Sequence, residues 1–381
     1  MRKSLGIDKN NIDQLFGRVR REVDDGLLPS VQVALAFGGE IIAEEAYGTV
    51  DDRPASLEDR YCFFSATKPM VASVIWQLIT EGKIDVHESV VAYFPEFSKA
   101  DDEWKTAVTV EQVMLHTSGF PLAPLSPSIW GDRAARVKKM HSWRVDWEPG
   151  SRYFYHSTSA HWVLAELIDR VTGRDYRNEV YDRVMAPLGL PRMLGIEENA
   201  QAGIATLVGV GEEASAEELE AVFGVREIPD NGVTENLLLN FNQPANRIAG
   251  VPGGGGFGRA RDLALFYQGL LNNSSGLWEP ALLADATGSI RNSLEDPMNV
   301  PANRTLGLVL AGDDGYSHVR GFGRTVSART FGHNGAAGQL AWADPDTGLS
   351  LAYVTNGCDR HRIRLARRGT AISSMAATCL V

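Results

Sequence analysis

The chain has 381 residues, enough to bury a large core and to hold two domains or two lobes of one. A formal net charge of −11 and a pI near 5.3 argue against nucleic acid or an anionic membrane surface as a partner. No apolar run approaches a membrane span in length, and the basic start Met1-Arg2-Lys3 has no apolar stretch behind it to make a signal peptide.

Asn11 opens an amphipathic helix, with Ile12, Leu15, Phe16, Val19 and Val23 on one face and Gly26 past its end. Residues 31–37 and 40–47 are strand-like, and Gly38-Gly39 between them is a hairpin signal. An apolar run from Tyr61 then delivers Ser65, with Lys68 one helical turn later. Residues 71–79 predict a helix too apolar for a surface, stopped by Gly82. Pro69 is tolerated best in a first turn, so this helix should begin near Ser65.

From about residue 81 the texture changes to short helices and long loops. Thr109 and Gln112 suit a capping box for a helix ending near His116. Residues 117–150 are rich in proline and tryptophan, and Trp130, Trp143 and Trp147 suggest a pocket wall. Residues 158–172 predict a strong helix ended by Gly173. Residues 200–245 give no clear pattern. The run Gly253-Gly254-Gly255-Gly256-Phe257-Gly258 spells a dinucleotide fingerprint before a helix at 263–271. Pro252 occupies the place of the required strand, and no parallel βαβ unit is evident, so a mobile glycine loop is expected instead. Residues 306–310, 338–343 and 349–356 read as strands, followed by a helix from about Arg362. The expected fold is therefore α/β (α+β): an antiparallel sheet flanked by terminal helices, built from residues 1–80 and 301–381, with a helical domain at 81–300 inserted.

The chain has no G-x-S-x-G elbow, H-E-x-x-H, C-x-x-C or Walker loop. The three cysteines, Cys62, Cys358 and Cys379, are in no metal spacing, and no two of the eight histidines have helical ligand spacing. No metal or cofactor is expected, and the scattered thiols suit a reducing, cytoplasmic setting. Ser65 and Lys68 remain. Three apart on a helix, they share a face, and a lysine in apolar surroundings loses pKa and can activate a serine. Tyr155 is a second candidate base, since a lysine ammonium beside a phenol would lower its pKa. The small residues of Gly332-His333-Asn334-Gly335-Ala336-Ala337-Gly338 allow a substrate close to the backbone. There the Ala336 N–H could pair with the Ser65 N–H as an oxyanion hole.

Ser65-Ala66-Thr67-Lys68, Tyr155-His156-Ser157 and His333-Asn334-Gly335, in this order, resemble the serine β-lactamase-like superfamily. The branch is that of class C β-lactamases, D-alanyl-D-alanine peptidases and family VIII carboxylesterases. The likeness runs over roughly residues 10–358 and includes Leu115-His116-Thr117-Ser118-Gly119 and Ala186-Pro187-Leu188-Gly189-Leu190. The resemblance implies a β-lactamase/transpeptidase-like fold, with a site between the α/β and all-α parts. It also implies acyl-enzyme chemistry on Ser65 without metal or cofactor, with Ser157, His333, Asn334 and Gly335 near the substrate; Trp130, from the aromatic loop, is expected to offer it apolar area.

Two positions depart from the family pattern. Ser157 replaces an asparagine that helps bind acylamino side chains in β-lactamases, and His333 replaces a lysine, so a substrate carboxylate would be held less firmly. Both point to an esterase or amidase acting on a small neutral acyl compound. An acyltransferase is the near alternative; a β-lactamase or D-alanyl-D-alanine peptidase is a further one. A non-catalytic binding descendant is argued against by intact Ser65, Lys68 and Tyr155.

Overall fold

The computed structural model describes residues 6–99 and 101–380; the basic start, residues 1–5, lies outside them. Its centre is a seven-stranded antiparallel sheet of β1 (Ser30–Phe37), β2 (Glu40–Val50), β3 (Arg53–Pro54), β4 (Val309–Leu310), β5 (Phe331–Gly332), β6 (Leu340–Ala343) and β7 (Leu349–Thr355). The spatial order is β3-β2-β1-β7-β6-β5-β4, so strands from the two ends of the chain meet where β1 pairs with β7. The β1–β2 hairpin turns on Gly38 and Gly39, with φ of 62° and 88°. Two successive positive φ values are what a two-residue hairpin of native twist requires.

Among the described residues, five helices have thirteen residues or more: α1 (Lys9–Asp24), α2 (Lys68–Thr80), α3 (Ser159–Thr172), α4 (Ala260–Asn272) and α5 (Arg362–Ala376). α1 begins before Asn11, because the Asp8 carboxylate caps it by accepting from the Asn11 N–H at 3.1 Å. Alternation along the strands decides what each face can carry. Val31, Val33, Leu35, Leu351 and Tyr353 meet Leu15, Val19, Ile372 and Ala376 of α1 and α5. The opposite face presents Ala34, Ala36, Ala341 and Ala352, and these small side chains let α4 lie close. Gln268 of α4 fixes the contact by donating to Ala36 O at 2.9 Å and Ser350 Oγ at 3.0 Å. α4 therefore packs on the sheet although its residues fall within 81–300.

α2 is buried from Lys68 through Leu78, as its composition demands. It packs against α3 and the short helix Tyr176–Val180. The helix Val110–Met114 has the reciprocal Thr109–Gln112 capping box. The unreadable stretch contains the strand Val208–Val210, parallel to Gly357–Asp359, and the helices Ala216–Phe223 and Glu235–Leu239. The glycine run is not a mobile loop. Residues 253–256 are buried, and Phe257–Gly258 pairs with Tyr61–Cys62 just ahead of Ser65. No described helix is long and apolar enough to cross a membrane.

Candidate active site

Ser65 sits in the 3₁₀ turn Phe64–Thr67 that leads into α2. Phe64 before it has a φ of 46°, a left-handed conformation that costs a bulky residue strain. Its ring is held edge-on against Phe241 at 5.8 Å, and the Phe63 N–H donates to Gly256 O at 2.8 Å. Thr67 Oγ1 accepts from the Gly256 N–H at 2.9 Å. The paired glycine segment thus fixes both sides of the Ser65 turn.

Lys68 is fully buried, and its Nζ stands 3.1 Å from Ser65 Oγ. The same Nζ donates to Ser157 O and to Gly253 O, both at 2.7 Å. Burial, with the Arg304 charge adding to it, holds the Lys68 pKa well below the usual lysine range. A neutral amine has two N–H groups and one lone pair. With both N–H groups committed to the carbonyls, the lone pair is left for the serine hydroxyl.

Tyr155 lies on the other side of this amine, its ring centre 5.1 Å from Nζ. Its hydroxyl is buried with no hydrogen-bond partner among the described residues. Burial pushes its pKa up from 10; Arg304 and the nearby Ser65 oppose this without reversing it. Ser65 is close enough to exert that pull, but the pair falls short of hydrogen-bond geometry. This upward direction runs against the expected lowering of the Tyr155 pKa. Desolvation of the Tyr155 hydroxyl outweighs the positive charge of Arg304, and Lys68 adds nothing to the lowering.

Arg304 was not legible in the sequence. It is 7% exposed, and its guanidinium lies 5.0 Å from the Tyr155 ring centre. Nε donates to Tyr153 Oη at 3.2 Å, and Nη1 lies 3.0 Å from His333 Nε2. No carboxylate pairs with it among the described residues. Burial, then Arg304 and Lys68, hold His333 well below the usual histidine pKa. As a neutral ring it fits its contacts: Nε2 accepts from Arg304, and Nδ1–H donates to Asn334 O at 3.0 Å. Burial and the neighbouring cations thus disfavour a charged His333, and the Arg304 guanidinium stands at its Nε2.

The other expected positions divide. Ser65, Ser157, Trp130 and Ala336 line one cavity of about 30 Å³. Ser157 Oγ is occupied there, donating to Asn231 O at 2.9 Å. Trp130 is 1% exposed and stacks on Phe241 at 5.4 Å. Asn334 is turned into structure: Nδ2 donates to Gly321 O, and Oδ1 accepts from the Ala341 N–H. Gly335 is required by space, since a Cβ there would lie 2.2 Å from Phe63 O. That close approach brings Ala336 to the Ser65 turn. His116 and His161 stack beside Tyr155 and Lys68, both held neutral chiefly by burial. Among the described residues, no group of three or more His, Cys, Asp or Glu side chains could hold a metal ion.

Comparison with known proteins places this arrangement. The family model described as Beta-lactamase matches residues 15–372. The chain belongs to the β-lactamase family. This family's members are serine hydrolases, and in this chain the buried Lys68 stands beside Ser65. A putative D-alanyl-D-alanine carboxypeptidase of Salmonella typhimurium is 24% identical, over 92% of this chain and 84% of its own length. Among solved structures, a penicillin-binding protein homologue from Caulobacter crescentus superposes with a TM-score of 0.76 at 24% identity, covering 98% of this chain and 100% of the other. A family VIII carboxylesterase gives a TM-score of 0.75 at 24% identity, over 96% and 99% of the two chains. A hydrolase with promiscuous acyltransferase activity gives 0.73 at 19% identity, again over 96% and 99%. The α/β architecture with its antiparallel sheet is thus that of β-lactamases and penicillin-binding proteins.

Proposed function

We propose that this β-lactamase-family chain is a carboxylesterase or amidase that forms an acyl-enzyme on Ser65 of a small acyl compound. The observation that carries the reading is the position of Lys68 Nζ, 3.1 Å from Ser65 Oγ with both carbonyl contacts at 2.7 Å. As Ser65 Oγ attacks the substrate carbonyl, its proton passes to the Lys68 lone pair. The resulting ammonium then has three acceptors in place: Ser157 O, Gly253 O and the serine oxygen. Negative charge developing on the carbonyl oxygen falls to the backbone N–H groups of Ser65 and Ala336. The neutral Tyr155 hydroxyl gives its proton to the leaving group as the tetrahedral centre collapses, and is reprotonated from Lys68. Water repeats the sequence on the ester and frees Ser65.

A second reading has its own observation. Arg304, without a carboxylate partner among the described residues, lies on the Tyr155 side, where the leaving group departs. It would favour a leaving group that carries a carboxylate, as in a peptide ending in a free amino acid. The named carboxypeptidase relatives agree with this possibility, and the carboxylesterase neighbours agree with the first. An acyl-enzyme that meets an alcohol or amine before water would give transfer in place of hydrolysis.

The test is kcat/KM on one preparation for p-nitrophenyl acetate, nitrocefin and a peptide ending in D-alanyl-D-alanine. The ester is expected to lead by at least about a hundred-fold, since Ser157 and Asn334 offer no free polar anchor to an acylamino group. If nitrocefin leads, the chain is a β-lactamase; if the peptide leads, the Arg304 reading stands.

A further inference from the structure

The free space around Ser65 is divided unequally. The cavity at the nucleophile holds about 30 Å³, walled by Phe64, Trp130, Val233, Leu238, Phe241 and Val251. That is room for roughly two water-sized groups. A separate cleft of about 520 Å³ lies beyond it, between the segment 213–238 and residues 358–365. Val233, Leu238 and Ala336 line both spaces. Val233 and Leu238 are half-buried side chains, so the partition is made of movable methyl groups as well as backbone.

The chemistry assigns these spaces to one side of the substrate. The leaving group must face Tyr155, and Tyr155, Arg304 and His333 line neither cavity. Both spaces therefore lie on the acyl side. Apart from Ser65, Ser157 and Thr158, the side chains lining the small one are apolar, as a short alkyl chain requires. The large one mixes apolar walls, among them Leu219, Ile228 and Leu365, with charged groups at Arg226, Arg360 and Glu227.

We infer that Val233 and Leu238 set the acyl chain length, confining the wild-type enzyme to acyl groups of about two to four carbons, and that shortening Leu238 opens the cleft to longer chains. The inference rests on the esterase reading of the same site. A chain longer than the slot must pass between Val233 and Leu238 to enter the cleft, while a two-carbon chain stays within the slot. The partition thus acts on long donors alone, through their acylation rate.

The experiment compares kcat/KM for p-nitrophenyl acetate, butyrate and octanoate in the wild type, in Leu238→Ala, and in Leu238→Ala combined with Leu219→Trp. The wild type is expected to favour acetate over octanoate by at least about fifty-fold. Leu238→Ala should raise the octanoate-to-acetate ratio at least tenfold, and Leu219→Trp, filling the cleft from its far wall, should remove that gain. An unchanged ratio in Leu238→Ala with acetate still hydrolysed overturns the partition and leaves the esterase reading standing. A gain that survives Leu219→Trp overturns the cleft as the acyl site. Absence of ester turnover in the wild type overturns the parent reading itself. Should Leu238→Ala fail to fold, Val233→Ala applies the same test from the neighbouring wall.

Discussion

The Arg304 guanidinium stands 5.0 Å from the centre of the Tyr155 ring and shares its burial, with no carboxylate to balance its charge among the described residues. This cation opposes the rise that burial forces on the Tyr155 pKa, and it also disfavours a charged Lys68. Both effects favour a neutral base beside a phenol that keeps its proton but can release it. Arg304→Met should move the alkaline limb of activity upward. It should also cost roughly ten- to a hundred-fold in kcat/KM for substrates with a carboxylate-bearing leaving group. Equal losses for neutral and anionic leaving groups would confine Arg304 to tuning Tyr155.

In the proposed relay Ser65, Lys68 and Tyr155 work as one unit, so their losses should not add. Ser65→Ala, Lys68→Met and Tyr155→Phe are each expected to lower kcat by at least about a thousand-fold, and the triple variant by little more. Single-turnover assays check this. A Tyr155→Phe enzyme with near-native kcat would leave the leaving-group proton to Lys68 or water.

The pH profile follows from the direction of two shifts. Lys68 must be unprotonated, and its pKa lies well below 10.5, so activity is lost as pH falls through that lowered value. Tyr155 must be protonated, and its pKa is raised above 10, so activity should hold until pH passes 10. The expected kcat/KM profile is a broad plateau between these limbs. An acid limb near the ordinary histidine value that disappears in His333→Asn would assign the base to the wrong residue.

Gly335 tests the geometry of the edge. A Cβ at this position would lie 2.2 Å from the Phe63 carbonyl oxygen, and neither side of that contact is a flexible side chain. Gly335→Ala should therefore push the Ala336 segment away from the Ser65 turn. The expected cost is about 1–3 kcal/mol of stability, read as a lowered Tm, together with a fall in kcat larger than any change in KM.

Much of this was legible in the chain because it rests on local pattern. The Gly38-Gly39 hairpin, the apolar helix after Ser65 and the Thr109 capping box each announce themselves within a few residues. So does the Ser65–Lys68 pair, which needs only one helical turn. The partners of Lys68 do not. Ser157 O and Gly253 O lie 89 and 185 positions away, and a backbone carbonyl has no residue signature. The glycine run looked mobile for the same reason: its burial depends on pairing with Tyr61–Cys62, which composition does not show. Arg304 stands alone in its stretch, and only the fold reveals what it faces. The helix Ala216–Phe223 could have been found, since Ser215 and Glu218 form a capping box and Gly224 ends it at a φ of 73°.

The central claim is that Lys68 activates Ser65 to carry the acyl group. Intact-protein and peptide mass spectrometry after brief, acid-quenched exposure to p-nitrophenyl acetate reads it directly. One acetyl group is expected on the peptide containing Ser65, decaying with turnover in the wild type, and absent from Ser65→Ala and Lys68→Met. Acetylation of another residue at the rate of turnover, or undiminished ester hydrolysis by Ser65→Ala, would contradict it.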